Sequence, residues 1–145
     1  MAKLHFFYST MNAGKSTALL QSNHNYIESN LKTLLFIPRE IAEKSNGKII
    51  SRIGLEAEAI VVSKEYEFFR EIENKNFKKV SCIFVDEAQF LSQKQVHDLG
   101  KIADELNIPV MCCGIRTDFQ GKLFEGSQEL LALADNLKEL KTICS

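Results

Sequence analysis

The chain has 145 residues, room for one domain, and its 45% hydrophobic and 26% charged content is that of an ordinary globular protein. Eighteen Lys and Arg against 19 Asp and Glu leave a net charge of −1, so no chain-wide basic excess points to nucleic acid. No stretch approaches the ~20 uninterrupted apolar residues of a membrane span, and Met1-Ala2-Lys3 opens into a strand-length run rather than a secretory signal.

Leu4-His5-Phe6-Phe7-Tyr8 reads as a buried strand, followed by the tight segment Ser9-Thr10-Met11-Asn12-Ala13-Gly14-Lys15-Ser16. A helix comes next, with Ala18, Leu19, Gln21, Ser22, Tyr26 and Ile27 recurring at three- and four-residue steps and fading near Glu28-Ser29-Asn30. Thr33 to Ile37 is a second strand, ended by Pro38. Residues 39–54 are polar and mixed and read as a long, mobile surface segment, with Ser45-Asn46-Gly47-Lys48 as its turn. Ala59 to Val62 is a short strand, and Ser63 is placed to cap a helix over Lys64 to Asn76 with Tyr66, Phe69 and Ile72 inward. Val80 to Val85 is another strand, ending in Asp86-Glu87. Ser92-Gln93-Lys94-Gln95 has the form of a capping box and opens a helix with Val96, Leu99, Ile102, Ala103 and Leu106 on one face. Ile108 to Cys113 is a strand that sends Cys112 and Cys113 to opposite sheet faces. A loop over Gly114 to Gly126, a helix over Gln128 to Ala134 and a strand over Leu137 to Ile143 complete the chain. Such alternation of buried strands and helices implies an α/β fold, a mostly parallel sheet with helices on both faces.

Two motifs give that frame a chemistry. The first connection fits the phosphate-binding pattern G-x-x-x-x-G-K-[ST] at its last three defining positions, with Ser9 where the first glycine would stand. Backbone N–H groups of such a loop, and the start of the helix it feeds, converge on phosphate oxygens. Gly14 lets the backbone approach a phosphate, Lys15 reaches the β- and γ-phosphates, and the Ser16 hydroxyl ligates Mg²⁺. The second motif is Val85-Asp86-Glu87: a central strand delivers two acids at its C-terminal end, the edge where open α/β sheets bind ligands. Asp86 is placed to hold Mg²⁺, and Glu87 to polarise an attacking hydroxyl or water. Together they point to a P-loop NTPase fold of the three-layer, RecA-like type that binds a nucleoside triphosphate with Mg²⁺.

Other chemistry-bearing residues have plainer explanations. His5 lies inside the first strand and reads as a packed histidine; His24 and His97 lie on helices as surface residues. The four cysteines, Cys82, Cys112, Cys113 and Cys144, have no disulfide-framework spacing and read as reduced thiols of a cytoplasmic protein. Adjacent cysteines such as Cys112 and Cys113 are not spaced to share a metal.

Three strings, Phe7 to Ser16, Asp86-Glu87-Ala88-Gln89-Phe90-Leu91 and Gly114-Ile115-Arg116-Thr117-Asp118-Phe119, together resemble the type II thymidine kinases, and the similarity extends through Ser51 to Leu55 and Leu140 to Cys144. The resemblance implies transfer of the ATP γ-phosphoryl group to the 5′-hydroxyl of thymidine, in pyrimidine salvage. It makes Glu87 the general base that accepts the hydroxyl proton, while Lys15 and Mg²⁺ neutralise charge on the phosphates. Residues Ser9 to Ser16 and Asp86, Glu87, Ala88 and Gln89 become the nucleotide site, with Ser16 and Asp86 toward Mg²⁺. Met11, Phe90, Phe119 and Phe124 match thymidine-pocket positions, and Arg52 falls in a matching segment without a role. The family's habit also implies a homo-tetramer, with neither nucleic acid nor membrane as partner. Residues 1–145 correspond to the nucleotide-binding catalytic domain, and family members continue into a small zinc-bearing subdomain whose lasso-like loop closes over thymidine. Cys144 matches its first zinc cysteine, and one cysteine cannot form a four-ligand zinc site. The alternative reading is a relative that binds ATP and Mg²⁺ without efficient kinase activity. An Asp-Glu-x-Gln ATPase acting on nucleic acid fits poorly, lacking a second motor domain and a basic strand-binding groove.

Overall fold

The computed structural model describes residues 2–9, 15–50, 56–74, 80–116 and 124–140, without the side chains of residues 15, 16, 43–45 and 50. Its frame is a six-stranded sheet in the order β5-β2-β6-β7-β1-β8, built from β1 (Leu4–Ser9), β2 (Lys32–Pro38), β5 (Ile60–Val62), β6 (Val80–Val85), β7 (Val110–Ile115) and β8 (Asn136–Glu139). Every pairing in that sheet is parallel. All six C-terminal ends therefore share one edge. A second, two-stranded antiparallel sheet joins β3 (Lys48–Ile50) to β4 (Glu56–Glu58).

Alternation along the central strands divides the core into two layers. Ile83 and Val85 of β6 pack on one face, while Cys82 and Phe84 pack on the other. These four side chains are all 0% exposed, as expected of a parallel strand covered on both sides. Cys112 and Cys113 divide between the two layers in the same way, as the period of two requires. The first layer receives α3 (Phe68–Asn74), α4 (Gln93–Glu105) and α5 (Glu125–Leu133) through Phe68, Ile72, Val96, Leu99, Ile102, Ala103 and Leu130. The second receives α1 (Lys15–Glu28), α2 (Arg39–Ser45) and β3 through Leu19, Leu20, Ala42 and Ile49. No helix among the described residues is long and apolar enough to cross a membrane.

Local signals set several boundaries. Ser92 caps α4 through its side chain, accepting from the Gln95 N–H at 3.2 Å, and the Gln95 amide oxygen accepts from the Ser92 N–H at 3.0 Å, which completes the capping box. Asn30, Asn46 and Asn107 follow α1, α2 and α4 with φ near 60, 54 and 55°, the left-handed exit that asparagine tolerates.

Four sequence expectations are corrected. The surface segment expected over 39–54 contains α2 and β3. Pro38, extended at φ −64° and ψ 147°, ends β2 and serves as the N-cap of α2, and Ile49 is buried at 1% exposure. The helix expected from Ser63 starts at Phe68 instead. Residues 63–66 form a turn closed by the Tyr66 N–H on the Ser63 carbonyl, and the Gln95 amide donates to the carbonyls of Ser63 and Tyr66 at 2.8 and 3.2 Å. Tertiary bonding thus takes carbonyls a helix would have used. The loop expected over 114–126 is shorter, because β7 runs to Ile115 and α5 begins at Glu125. In α1, Ile27 is 54% exposed, and Leu20 and Asn23 are buried in its place.

Candidate active site

Strand β6 ends at Val85 within the buried core, and the chain turns immediately at Asp86-Glu87 into a 3₁₀ turn over Ala88–Phe90. Asp86 is 3% exposed, and its Oδ1 accepts the Glu87 N–H at 2.9 Å. Glu87 itself stands at φ 53° and ψ 41°. Left-handed geometry costs a non-glycine residue about 1–2 kcal/mol. Among the described non-glycine residues with positive φ, the other three are asparagines, so Glu87 is the one whose side chain does not ease that conformation. Backbone held in this way marks a candidate functional position.

The turn is fixed against β7 and α5. Gln89, 3% exposed, donates from Nε2 to Glu87 Oε1 at 2.8 Å and accepts the Ile115 N–H on Oε1 at 3.1 Å. The Ile115 carbonyl in turn accepts from the Ser127 hydroxyl at 2.5 Å. Two glycines allow this packing. A Cβ at Gly114 would lie 2.7 Å from Gln89 Oε1, and one at Gly126 would lie 2.2 Å from the Ala88 carbonyl oxygen. The rings of Phe90 and Phe124 meet edge to face, 5.8 Å apart at 67°. One end of the 3₁₀ turn thus carries the Glu87 carboxylate and the other carries an aromatic pair.

Strand β1 stands beside β7, with Ser9 in register with Ile115 and the Ser9 carbonyl accepting the Arg116 N–H at 2.9 Å. Strands β1 and β6 therefore flank β7 at two strand spacings, roughly 10 Å, with Ser9 level with Ile115 and Val85 level with Cys112. Lys15 and Ser16 open α1, the first element after β1.

Of the residues expected at the site, Ser9, Asp86, Glu87, Ala88 and Gln89 gather on this edge, with Phe90 and Phe124 in contact beside them. Thr10, Met11, Asn12, Ala13, Gly14, Arg52, Phe119 and Cys144 lie outside the described residues, as do the side chains of Lys15 and Ser16. The sequence reading missed the supporting roles of Gly114, Gly126 and Ser127. A glycine inside an apolar strand is a signal of close backbone approach, and Gly114 carried it.

The histidines follow their plainer explanations. His5 stacks on Phe7 and meets Asn136 at 3.1 Å; burial and the nearby Lys3 lower its pKa, with Asp135 opposing. His24 and His97 are exposed and face Glu28 and Glu129.

A parallel sheet with a phosphate-loop pattern after β1, and two acids at the end of a strand beyond its neighbour, define a P-loop nucleotide-binding protein. The fold agrees with that class: the chain superposes over 99% of its length on 36% of the Pif1 helicase of Candida albicans, with a TM-score of 0.59 at 14% identity. At that identity the likeness concerns the fold alone. Sequence comparison is more specific. The thymidine kinase family profile matches residues 2–145, and the chain belongs to that family. A thymidine kinase of Mesorhizobium japonicum is 54% identical over 99% of this chain and 71% of its own length. Those of Haemophilus influenzae and Pasteurella multocida are also 54% identical, over 75% and 76% of their lengths.

Proposed function

We propose that the protein transfers the γ-phosphoryl group of ATP to the 5′-hydroxyl of thymidine, giving thymidine monophosphate, with residues 1–145 as its nucleotide-binding catalytic domain. The observation that carries this reading is the Asp86–Phe90 turn in a chain of this family: a carboxylate held in a left-handed backbone at one end, and the Phe90–Phe124 pair at the other.

The loop over Ser9 to Ser16 cradles the phosphates, with Lys15 neutralising charge at the β- and γ-groups. A buried carboxylate at the strand end suits a hard cation that prefers oxygen donors, so Asp86 fits Mg²⁺, together with the hydroxyl of Ser16. When bound, Mg²⁺ supplies charge neutralisation on the phosphate oxygens. Phe90 and Phe124, with Met11 and Phe119, give the thymine and sugar apolar surfaces to lie against. Glu87 accepts the proton of the 5′-hydroxyl as its oxygen bonds to the γ-phosphorus. The bond from that phosphorus to the β–γ bridging oxygen breaks, and ADP leaves.

The test is to supply the protein with ATP, Mg²⁺ and thymidine and to separate the nucleotides chromatographically. Thymidine monophosphate and ADP should form in equal amounts. ADP without thymidine monophosphate, or no turnover by folded protein that binds ATP, would overturn the reading. Lys15→Ala should weaken ATP binding, and an unchanged affinity would remove the cradle from the account.

A further inference from the structure

Gln89 falls within the stretch assigned to the nucleotide, yet its amide bonds inside the protein through both its nitrogen and its oxygen. The carboxamide is buried at 3% exposure, and both of its ends have partners. The Ile115 N–H can only donate, so the group it meets must be the amide oxygen. That fixes the flip of the amide, and the NH₂ must face Glu87 Oε1. We infer that Gln89 is a positioning residue for Glu87 rather than a ligand of the nucleotide: it ties the rotation of the base's carboxylate to the end of β7. The inference rests on the kinase reading above.

Several features converge on this role. Glu87 is held in a backbone conformation its side chain does not favour, and its carboxylate accepts from a buried donor two residues on. The partner on the other side, Ile115, is the last residue of β7, next to the segment that leads to Phe124. Its carbonyl is held in turn by Ser127 in α5. Gln89 thus links the Glu87 carboxylate to the strand and helix on either side of that segment. The absence of a side chain at Gly114 leaves space for the Gln89 amide, since a Cβ there would come within 2.7 Å of Oε1.

Gln89→Glu isolates the relevant bond. It keeps the length of the side chain and an acceptor for the Ile115 N–H, but removes the donor to Glu87 and sets a second carboxylate against it. A displacement of the base by about 1 Å is enough to cost on the order of 10²-fold in turnover. The expected result is a kcat loss of about that size, with the ATP Kd and thymidine KM changing by less than about threefold. Introduced into Glu87→Gln, the same change should cost nothing further, because the group it positions is already gone. Gln89→Asn, which retains a shortened amide, should recover part of the loss.

A tenfold weaker ATP Kd with kcat retained would make Gln89 a nucleotide ligand and overturn the inference. An equal kcat loss in the Glu87→Gln background would overturn it too. If Gln89→Glu does not fold, Gly114→Ala displaces the same amide from the other side, and the same split between kcat and ATP Kd decides. Wild-type protein that makes no thymidine monophosphate overturns the kinase reading and this inference with it. An active wild type beside an equally active Gln89→Glu overturns the positioning alone.

Discussion

Replacing Gly126 by alanine tests whether α5 and the Glu87-bearing turn are packed as closely as described. A Cβ at Gly126 would meet the Ala88 carbonyl oxygen at 2.2 Å, the Leu91 carbonyl oxygen at 3.0 Å and the Gln89 carbonyl carbon at 3.1 Å. All three are backbone atoms, so no rotamer change relieves the contact. Either α5 or the turn must move by roughly 1 Å to reach ordinary van der Waals separation. Overpacking of this kind costs about 1–3 kcal/mol, and an alanine one residue into a helix returns only part of the ~1 kcal/mol it gains over glycine in a helix interior. A net loss of about 2 kcal/mol corresponds to a Tm lower by roughly 4–10 °C for a domain of this size. Gly100 is the control, since it lies inside α4 and a Cβ there meets only Leu4 Cδ2 at an ordinary 3.8 Å. Gly100→Ala should therefore stabilise by about 0.5–1 kcal/mol. Paired urea or thermal unfolding curves supply both values. If Gly126→Ala proves as stable as Gly100→Ala, the close approach of α5 to the turn is wrong.

Gln95→Ala should cost about 2–3 kcal/mol, because it strips partners from the Ser92 N–H and from the Ser63 and Tyr66 carbonyls. Ser92→Ala should cost nearer 1 kcal/mol; urea midpoints in the reverse order would count against the network. Burial pushes the Cys82 thiol up to about 11 and the Cys112 thiol higher still. Both should stay protonated and resist thiol reagents at pH 8 until the protein unfolds, whereas rapid native-state labelling of either, located by peptide mass spectrometry, would contradict their burial.

The parts of this fold that could be read in advance are those where one local rule decides. Val80 to Val85 is a mostly apolar run, broken only by Ser81, between polar residues, and it is β6 to the residue. Ser92 and Gln95 specify the start of α4 through atoms only three positions apart. The errors fall where distant atoms intervene. Ser63 has the chemistry of an N-cap, but its carbonyl is taken by Gln95, 32 residues away. Helix α2 is only seven residues long, and Ala42 is the one side chain it contributes to the buried core among those described. A helix that short carries almost no periodicity to detect. The site divides in the same way. Asp86 and Glu87 were legible as acids at the end of a buried strand, whereas the left-handed turn at Glu87 is set by bonds and packing that reach β7 and α5. Gln89 and Gly126 could be given those roles only once Ile115, Ser127 and Ala88 were seen beside them.

The proposed role of Glu87, taking the proton of the thymidine hydroxyl during phosphoryl transfer, is open to direct test. The most direct measurement is single-turnover transfer of label from γ-labelled ATP to thymidine, comparing wild type with Glu87→Gln at matched ATP occupancy. A loss of about 10²–10⁴-fold in the transfer rate is expected, with ATP affinity nearly unchanged. A Glu87→Gln protein that labels thymidine at the wild-type rate would contradict it.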